Sequence, residues 1–335
     1  MSLDLPVRGA APRILIVRVS ALGDIVFATS LLHGLRQRWP DAHIDWAVQS
    51  GFAGVLENDT RINRLIRLPT RLRLTPGVIS ALRAEFSKGA YDWVIDAQGL
   101  LKTRFLARLV PNAYRIGFES KEPGACWMDQ LLPKGGAITD IASEYRFLAQ
   151  SITAMPAPAP RLNAIDHKAV LKHAADYTVL CPFTTRPQKH WMQENWGQLA
   201  ALIHARGLGP VVLMGGPGDV AAARDIEDTL PQGSINLVGK TRLDAVAGVI
   251  AGARLLIGVD TGLTHIGIAT GRPVVALFGS TCPYTGGADS PLRVMYDALP
   301  CAPCKRRPSC NGAFDCMRGL SPERVCAAAT QLIGA

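Results

Sequence analysis

The chain has 335 residues, 48% of them hydrophobic and 19% charged, which excludes a disordered protein and is long enough for two cores rather than one. A formal charge of +9 and a pI of 9.3 favour acidic partners such as a nucleotide, a phosphorylated sugar, an anionic membrane face or nucleic acid. The longest apolar stretch, AVAGVIAGARLLIGVD, is broken by Arg254 and the start MSLDLPVRGAAPR has no apolar signal core, so the chain is expected to be cytoplasmic with no transmembrane segment.

The run RILIVRV reads as a strand, and VSALGDIV then turns it into a helix over DIVFATSLLHGLRQRW. Gly23 and Asp24 open that helix. A helix N-terminus ordinarily favours an anion, so Asp24 either serves the helix dipole or does chemistry of its own. HIDWAVQ, INRLIRL and YDWVIDAQ read as further strands. Arg61, Arg64 and Arg67 fit a solvated strand edge, whereas Arg71 and Arg73 follow Pro69 in a loop where an anionic acceptor could be met.

The proline-rich segment AMPAPAPRL, residues 154–162, suits a linker. Beyond it strands restart with YTVLCPF, VVLMGGPG, SINLVG, RLLIGVDTG and PVVALFG. Alternating strands and helices imply parallel βαβ units. The expectation is therefore an α/β protein of two Rossmann-like domains, 1–155 and 156–335, with parallel sheets facing a central cleft. A C-terminal helix is expected to pack back on the first domain.

Three clusters in the second half carry polar chemistry. In CPFTTRPQKHW, the hydroxyls of Thr184 and Thr185 with Lys189 beyond a strand end suit a phosphate, or else form a polar loop over Trp191 and Trp196. GGPGDVA contains a G-x-G-x-x-A match, but the position about twenty residues on falls near Asn236 rather than an acid, which disfavours a nicotinamide dehydrogenase. In GVDTGLTHIGIATGRP, Asp260, Thr261 and Gly262 form a turn into a helix carrying His265. That turn offers free amides to a diphosphate, or Asp260 and Thr261 simply cap the helix.

The chain has no Asp-x-Asp pair to hold a divalent ion on a diphosphate, so cations and helix N-termini must stabilise any such leaving group, Lys189 first. Cys301, Cys304, Cys310 and Cys316 lie within sixteen residues. They suit either a structural zinc or iron site or reduced thiols. Nucleic acid is not an expected partner, because the basic residues are not interleaved with aromatics.

The motifs SALGDIV, YDWVIDAQGLLKT, TTRPQKHW and VDTGLTHIGIATGRP occur in one order, and through them the chain resembles the bacterial ADP-heptose:lipopolysaccharide heptosyltransferases, closest to the heptosyltransferase I type. The resemblance runs from about Arg13 to the end. It implies a two-domain GT-B glycosyltransferase that needs no metal cofactor and inverts the sugar. The implied donor is ADP-L-glycero-D-manno-heptose, and the implied acceptor is the Kdo of Kdo2-lipid A at the inner face of the cytoplasmic membrane, with peripheral association there.

The same resemblance makes Asp24 the general base and places Thr184, Thr185 and Lys189 at the diphosphate. It sets Asp219, Thr241, Asp260, Thr261, Gly262, Leu263 and His265 around the rest of the donor. Relatives carry glutamate where Asp219 stands, and arginine where this chain has Lys121 before Glu122-Pro123. With Arg71 and Arg73, Lys121 is the expected acceptor contact. The alternatives are a heptosyltransferase II-like enzyme acting on a heptosylated core, a related glycosyltransferase with another acceptor, and a noncatalytic binder of nucleotides or acidic polysaccharide.

Overall fold

The apolar run after Arg13 forms β1 (Arg13–Val17), whose last four residues are fully buried, as a central parallel strand covered on both faces must be. The computed structural model describes residues 5–135, 142–163, 171, 176–283, 290–304 and 306–334. The chain divides into two compact units, Met1–Ile138 with Ala142–Asn163 and Thr139–Ile141 with Ala164–Ala335.

In the first unit β1 leads through α1 (Leu22–Arg38) to β2 (His43–Gln49) and β3 (Arg64–Leu68), then α2 (Pro76–Ser87), β4 (Trp93–Asp96), α3 (Leu101–Arg108), β5 (Tyr114–Phe118), β6 (Gln130–Leu132) and α4 (Ser143–Thr153). Asp24 in the first turn of α1, and Arg36 and Arg38 in its last, match the helix dipole. The six strands are all parallel, in the order β3-β2-β1-β4-β5-β6. The proline-rich segment belongs to this unit: Arg61 Nη2 donates to the Arg161 carbonyl at 2.6 Å, and Ala159 and Leu162 are buried.

The second unit repeats the plan with β7 (Thr178–Cys181), α5 (Gln193–Ala205), β8 (Val211–Leu213), α6 (Val220–Glu227), β9 (Ile235–Asn236), α7 (Leu243–Ala251), β10 (Leu255–Val259), α8 (Gly262–Ala269), β11 (Val274–Phe278), β12 (Leu292–Tyr296), α9 (Asp315–Arg318) and α10 (Pro322–Ile333). Its parallel order is β12-β11-β10-β7-β8-β9. α10 packs on α5 and on β10, β11 and β12 of its own unit. Counted from each unit's own first strand, both sheets read 3-2-1-4-5-6, the doubly wound Rossmann order. The strand order reverses between β1 and β4 and again between β7 and β10, and ligands of such sheets bind at the carboxyl ends of strands at that reversal.

Arg64 differs from the solvated reading. Its Nε lies 3.0 Å from Asp45 Oδ2 and its Nη1 2.7 Å from Glu85, while Tyr91 donates to the same Asp45 oxygen at 2.5 Å. Asp45 has no exposed surface, so Arg64, with Tyr91 and with His43 at 2.9 Å from Oδ1, makes a buried carboxylate tolerable. Burial and the Asp45 carboxylate push the Tyr91 phenol well up. Arg61 pairs with buried Asp59 at 2.5 Å, and only Arg67, paired with Glu57, stays on the exposed edge.

The cysteine segment also departs from expectation. Among the described residues no group of three or more His, Cys, Asp or Glu side chains is placed to hold a metal ion. Cys316 is buried in the apolar core with Met317 and Leu320 and Cys301 faces solvent, although burial, and with it the neighbouring thiols of Cys301, Cys304 and Cys310, pushes the Cys316 thiol up. The zinc or iron reading of Cys301, Cys304, Cys310 and Cys316 is therefore not supported.

Gly258 lets α8 approach β10. A Cβ there would lie 2.3 Å from Thr264 Oγ1, itself held by the Val259 carbonyl at 2.7 Å, and 2.9 Å from Cys181 Cβ. Gly258→Ala should cost about 1–3 kcal/mol of stability as an overpacked contact, read as a lowered urea midpoint. An unchanged midpoint would show that the strand and helix can part at no cost.

Candidate active site

Each reversal of strand order carries its own polar cluster. In the first unit the loop leaving β1 holds Arg18 and the turn to Asp24, and the loop leaving β4 holds Ala97 to Leu100. Asp24 is about one-third exposed. Its Oδ2 lies 2.6 Å from Arg18 Nη2 and accepts the Ala21 amide at 3.4 Å.

The two loops are tied directly: Gln98 Oε1 accepts the Val19 and Ser20 amides at 3.0 and 3.4 Å. The β4 loop is shaped in turn by Asp96, which accepts the Gln98 and Gly99 amides at 3.0 Å each and the Thr103 hydroxyl at 3.2 Å. Burial raises the Asp96 carboxyl above its ordinary range, against the pull of those amides. Much of the motif YDWVIDAQGLLKT is thus scaffolding that sets the shape of the Asp24 turn.

The expected acceptor contacts do not converge. Arg71 and Arg73 are exposed in the loop after edge strand β3, and Lys121 is exposed in the loop after β5. Both loops leave the carboxyl edge of the sheet, but four strand spacings separate them, about 19 Å. They flank the Asp24 turn from opposite sides. Buried Arg104 shapes the Lys121 loop, donating to the carbonyls of Phe118, Glu122 and Pro123 and to the Ser120 hydroxyl.

In the second unit the loops after β7, β10 and β11 meet on one carboxylate. Asp260 Oδ2 lies 2.6 Å from Lys189 Nζ and accepts the Thr281 hydroxyl at 2.5 Å, and Oδ1 lies 3.2 Å from His265 Nε2. The Thr184 hydroxyl donates to the Asp260 carbonyl at 3.1 Å, and His190 Nε2 meets the Thr184 carbonyl at 2.8 Å. Burial opposes ionisation of Asp260, but the hydrogen bond and charge of His265 and the charge of Lys189 outweigh it. They hold its carboxyl far below the usual carboxylate range.

Thr261 stands at the N-cap of α8 without capping it by its side chain, so the amides from Gly262 and Leu263 onward have no side-chain cap there. That is the arrangement that receives an anion. Thr185 is exposed, while Thr184 has spent its proton on the Asp260 carbonyl.

Asp219 and Thr241 lie in the loops after β8 and β9, one and two strands from β7. Asp219 Oδ2 accepts the Gly216 amide at 2.8 Å, fastening its own turn, and Thr241 Oγ1 is buried with no partner among the described residues. Thr281, Gln98, Arg18 and Arg104 were not among the sequence candidates. The polar residues Ser280 and Thr281 directly after PVVALFG, and the charge that interrupts RILIVRV, were the available signals for Thr281 and Arg18.

A carboxyl depressed in the folded chain adds stability above its unfolded value, about 4, and loses it as pH falls toward the folded value. Asp260→Asn should therefore cost about 3 kcal/mol at pH 7, with the deficit shrinking as the buffer is taken to pH ~3. Thermal melts of both proteins at the two pH values test this, and an equal deficit at both would refute it.

Residues 79–314 match glycosyltransferase family 9 (heptosyltransferase). Lipopolysaccharide heptosyltransferase 1 of Pseudomonas aeruginosa is 30% identical over 355 aligned positions, covering 96% of this chain and 97% of that protein. Lipooligosaccharide heptosyltransferase 2 of Haemophilus influenzae is 25% identical, covering 81% of this chain and 84% of that protein. Among solved structures, the Escherichia coli heptosyltransferase WaaC with ADP superposes with a TM-score of 0.74 at 25% identity, covering 96% and 99% of the two chains. With doubly wound sheets in both units and a family match across most of its length, the chain belongs to glycosyltransferase family 9, the heptosyltransferases.

Proposed function

We propose that this glycosyltransferase moves L-glycero-D-manno-heptose from ADP-heptose to the Kdo of the lipopolysaccharide inner core, as a heptosyltransferase I. The observation that carries the reading is the division of labour between the two strand-order reversals. One holds a carboxylate about one-third exposed, with one oxygen unpaired among the described residues; the other holds a lysine beside a helix N-terminus without a side-chain cap. A base and an anion site are the two parts that sugar transfer from a nucleoside diphosphate requires.

In this mechanism Asp24 takes the proton of the acceptor hydroxyl while its oxygen bonds to the anomeric carbon of the heptose. The bond from that carbon to the diphosphate oxygen breaks, its electron pair leaves with ADP, and attack from the opposite face inverts the centre. Lys189 has three N–H donors, so it can keep Asp260 while meeting a phosphate oxygen. The α8 amides at Gly262 and Leu263 and the exposed Thr185 hydroxyl share the developing charge, which is where an electrostatic site gains most. Asp260 and His265 hold Lys189 and the α8 turn in place, and Asp219 and Thr241 face the nucleoside.

The domain roles follow: the first unit takes the acceptor and the second the donor. Arg71, Arg73 and Lys121 meet acceptor carboxylates and phosphates, and the enzyme works peripherally at the inner face of the cytoplasmic membrane. No helix among the described residues is long and apolar enough to cross a membrane. The relative named heptosyltransferase 2 supports a second reading, in which the acceptor already carries a heptose.

Asp24→Ala should lower kcat by about 10²- to 10⁴-fold, the usual share of a general base, with ADP affinity unchanged by calorimetry. Near-normal turnover would remove Asp24 from the chemistry. ADP release from ADP-heptose should be fast with Kdo2-lipid A and slow with its monoheptosylated product, and replacing Arg71, Arg73 and Lys121 together by Ala should raise the KM for the acceptor alone. The reverse acceptor preference would establish the second reading.

A further inference from the structure

Arg18 leaves β1 as a charge inside an otherwise apolar run, and its side chain is only 7% exposed. Burying a guanidinium is costly, and an apolar side chain of similar size usually serves stability as well or better. Its surroundings account for the position. Nη2 reaches Asp24 Oδ2 at 2.6 Å, Nη1 donates to the Ala97 carbonyl at 3.2 Å, and the guanidinium carbon lies 5.6 Å from the ring centroid of Tyr145 on α4. The Arg18 carbonyl accepts the Trp46 indole N–H at 3.1 Å, which anchors the backbone at the same residue.

Both contacts made by the Asp24 carboxylate fall on Oδ2: the Arg18 guanidinium and the Ala21 amide. Oδ1 has no hydrogen-bond partner among the described residues. Rotating the carboxylate would forfeit a short ion pair to a buried guanidinium, which is costly to leave without its partner. The guanidinium cannot follow such a rotation, because Ala97 and Tyr145 hold it from two other elements. Arg18 is not itself a candidate base, since a guanidinium keeps its proton at any working pH.

We propose that Arg18 is a positioning residue for the sugar-transfer reaction, pinning Asp24 by Oδ2 so that Oδ1 is the atom that receives the acceptor proton. The inference rests on the reading of Asp24 as general base and assigns that role to one oxygen. It also explains the conformation of the loop after β4: Ala97 and Gln98 brace the guanidinium and the Asp24 turn respectively.

The test uses the full chain with ADP-heptose and the acceptor that the unaltered enzyme prefers. Arg18→Met should lower kcat at least tenfold with ADP affinity unchanged. Arg18→Lys restores a cation without the fork that also reaches Ala97, and should recover a substantial part of the loss. In an Asp24→Asn background, Arg18→Met should have almost no further effect, because the group it positions no longer accepts a proton. Each result has a separate meaning. Near-normal turnover by Asp24→Asn alone overturns the base reading and this inference with it. A defective Asp24→Asn beside a fully active Arg18→Met overturns the inference only. A loss in Arg18→Met that lysine does not rescue, or that multiplies undiminished with Asp24→Asn, makes Arg18 a structural residue and also overturns it. Thermal melts identify a variant that fails to fold, and for such a variant the lysine protein supplies the kcat and coupling measurement.

Discussion

The polar cluster of the second unit depends on one carboxylate. Asp260 sits at the end of a fully buried strand and would be unfavourable there alone, yet it is ringed by Lys189, His265 and Thr281 while its carbonyl holds Thr184. A low-dielectric position makes each of those contacts stronger than it would be in water and makes any missing partner expensive. The loops after β7, β10 and β11 are therefore fastened to one another through Asp260. That fastening delivers a lysine and an unblocked helix N-terminus to the same strand-order reversal.

The first unit repeats the topology and inverts the chemistry. Its reversal lies at the same place in the same 3-2-1-4-5-6 order, but there an aspartate occupies the first turn of the helix after the first strand, whereas in the second unit the helix after the fourth strand has amides without a side-chain cap. The negative charge still suits the helix dipole. Asp24 uses one oxygen, Oδ2, for both Arg18 and Ala21, so its place in the helix dipole and the proton transfer proposed for it do not compete for the same atom. The same sheet plan thus carries a partly exposed carboxylate at one reversal and amides without a side-chain cap at the other.

The alternation of apolar runs and amphipathic stretches was enough to read the α/β class and two Rossmann-like halves, because buried parallel strands are apolar throughout and leave a plain pattern. The motif residues from Asp24 to His265 were legible for a related reason: they follow the strands directly, where loops carry function. The limit of the linker was less legible. Prolines mark a segment that is neither helix nor central strand, but only the bond from Arg61 to Arg161 and the burial of Ala159 and Leu162 assign that segment to the first unit. The cysteine spacing left a metal site and reduced thiols open, and among the described residues no group is placed to hold a metal ion, although the thiols lie near one another.

The sequence by itself determined the fold class, the strand-end positions of the polar clusters and the family resemblance, all of which depend on local pattern and residue order. Tertiary structure alone decided the partnerships. Arg18 with Asp24 and Tyr145, Thr281 with Asp260, Gln98 with the β1 turn and Arg64 with Asp45 join residues that are distant in the chain or face each other only after the turn closes. A charge in a strand reads in the sequence as an exception. Once the sheet is closed around it, the cost of burial requires a partner, and the position of that partner sets which oxygen of Asp24 is left free.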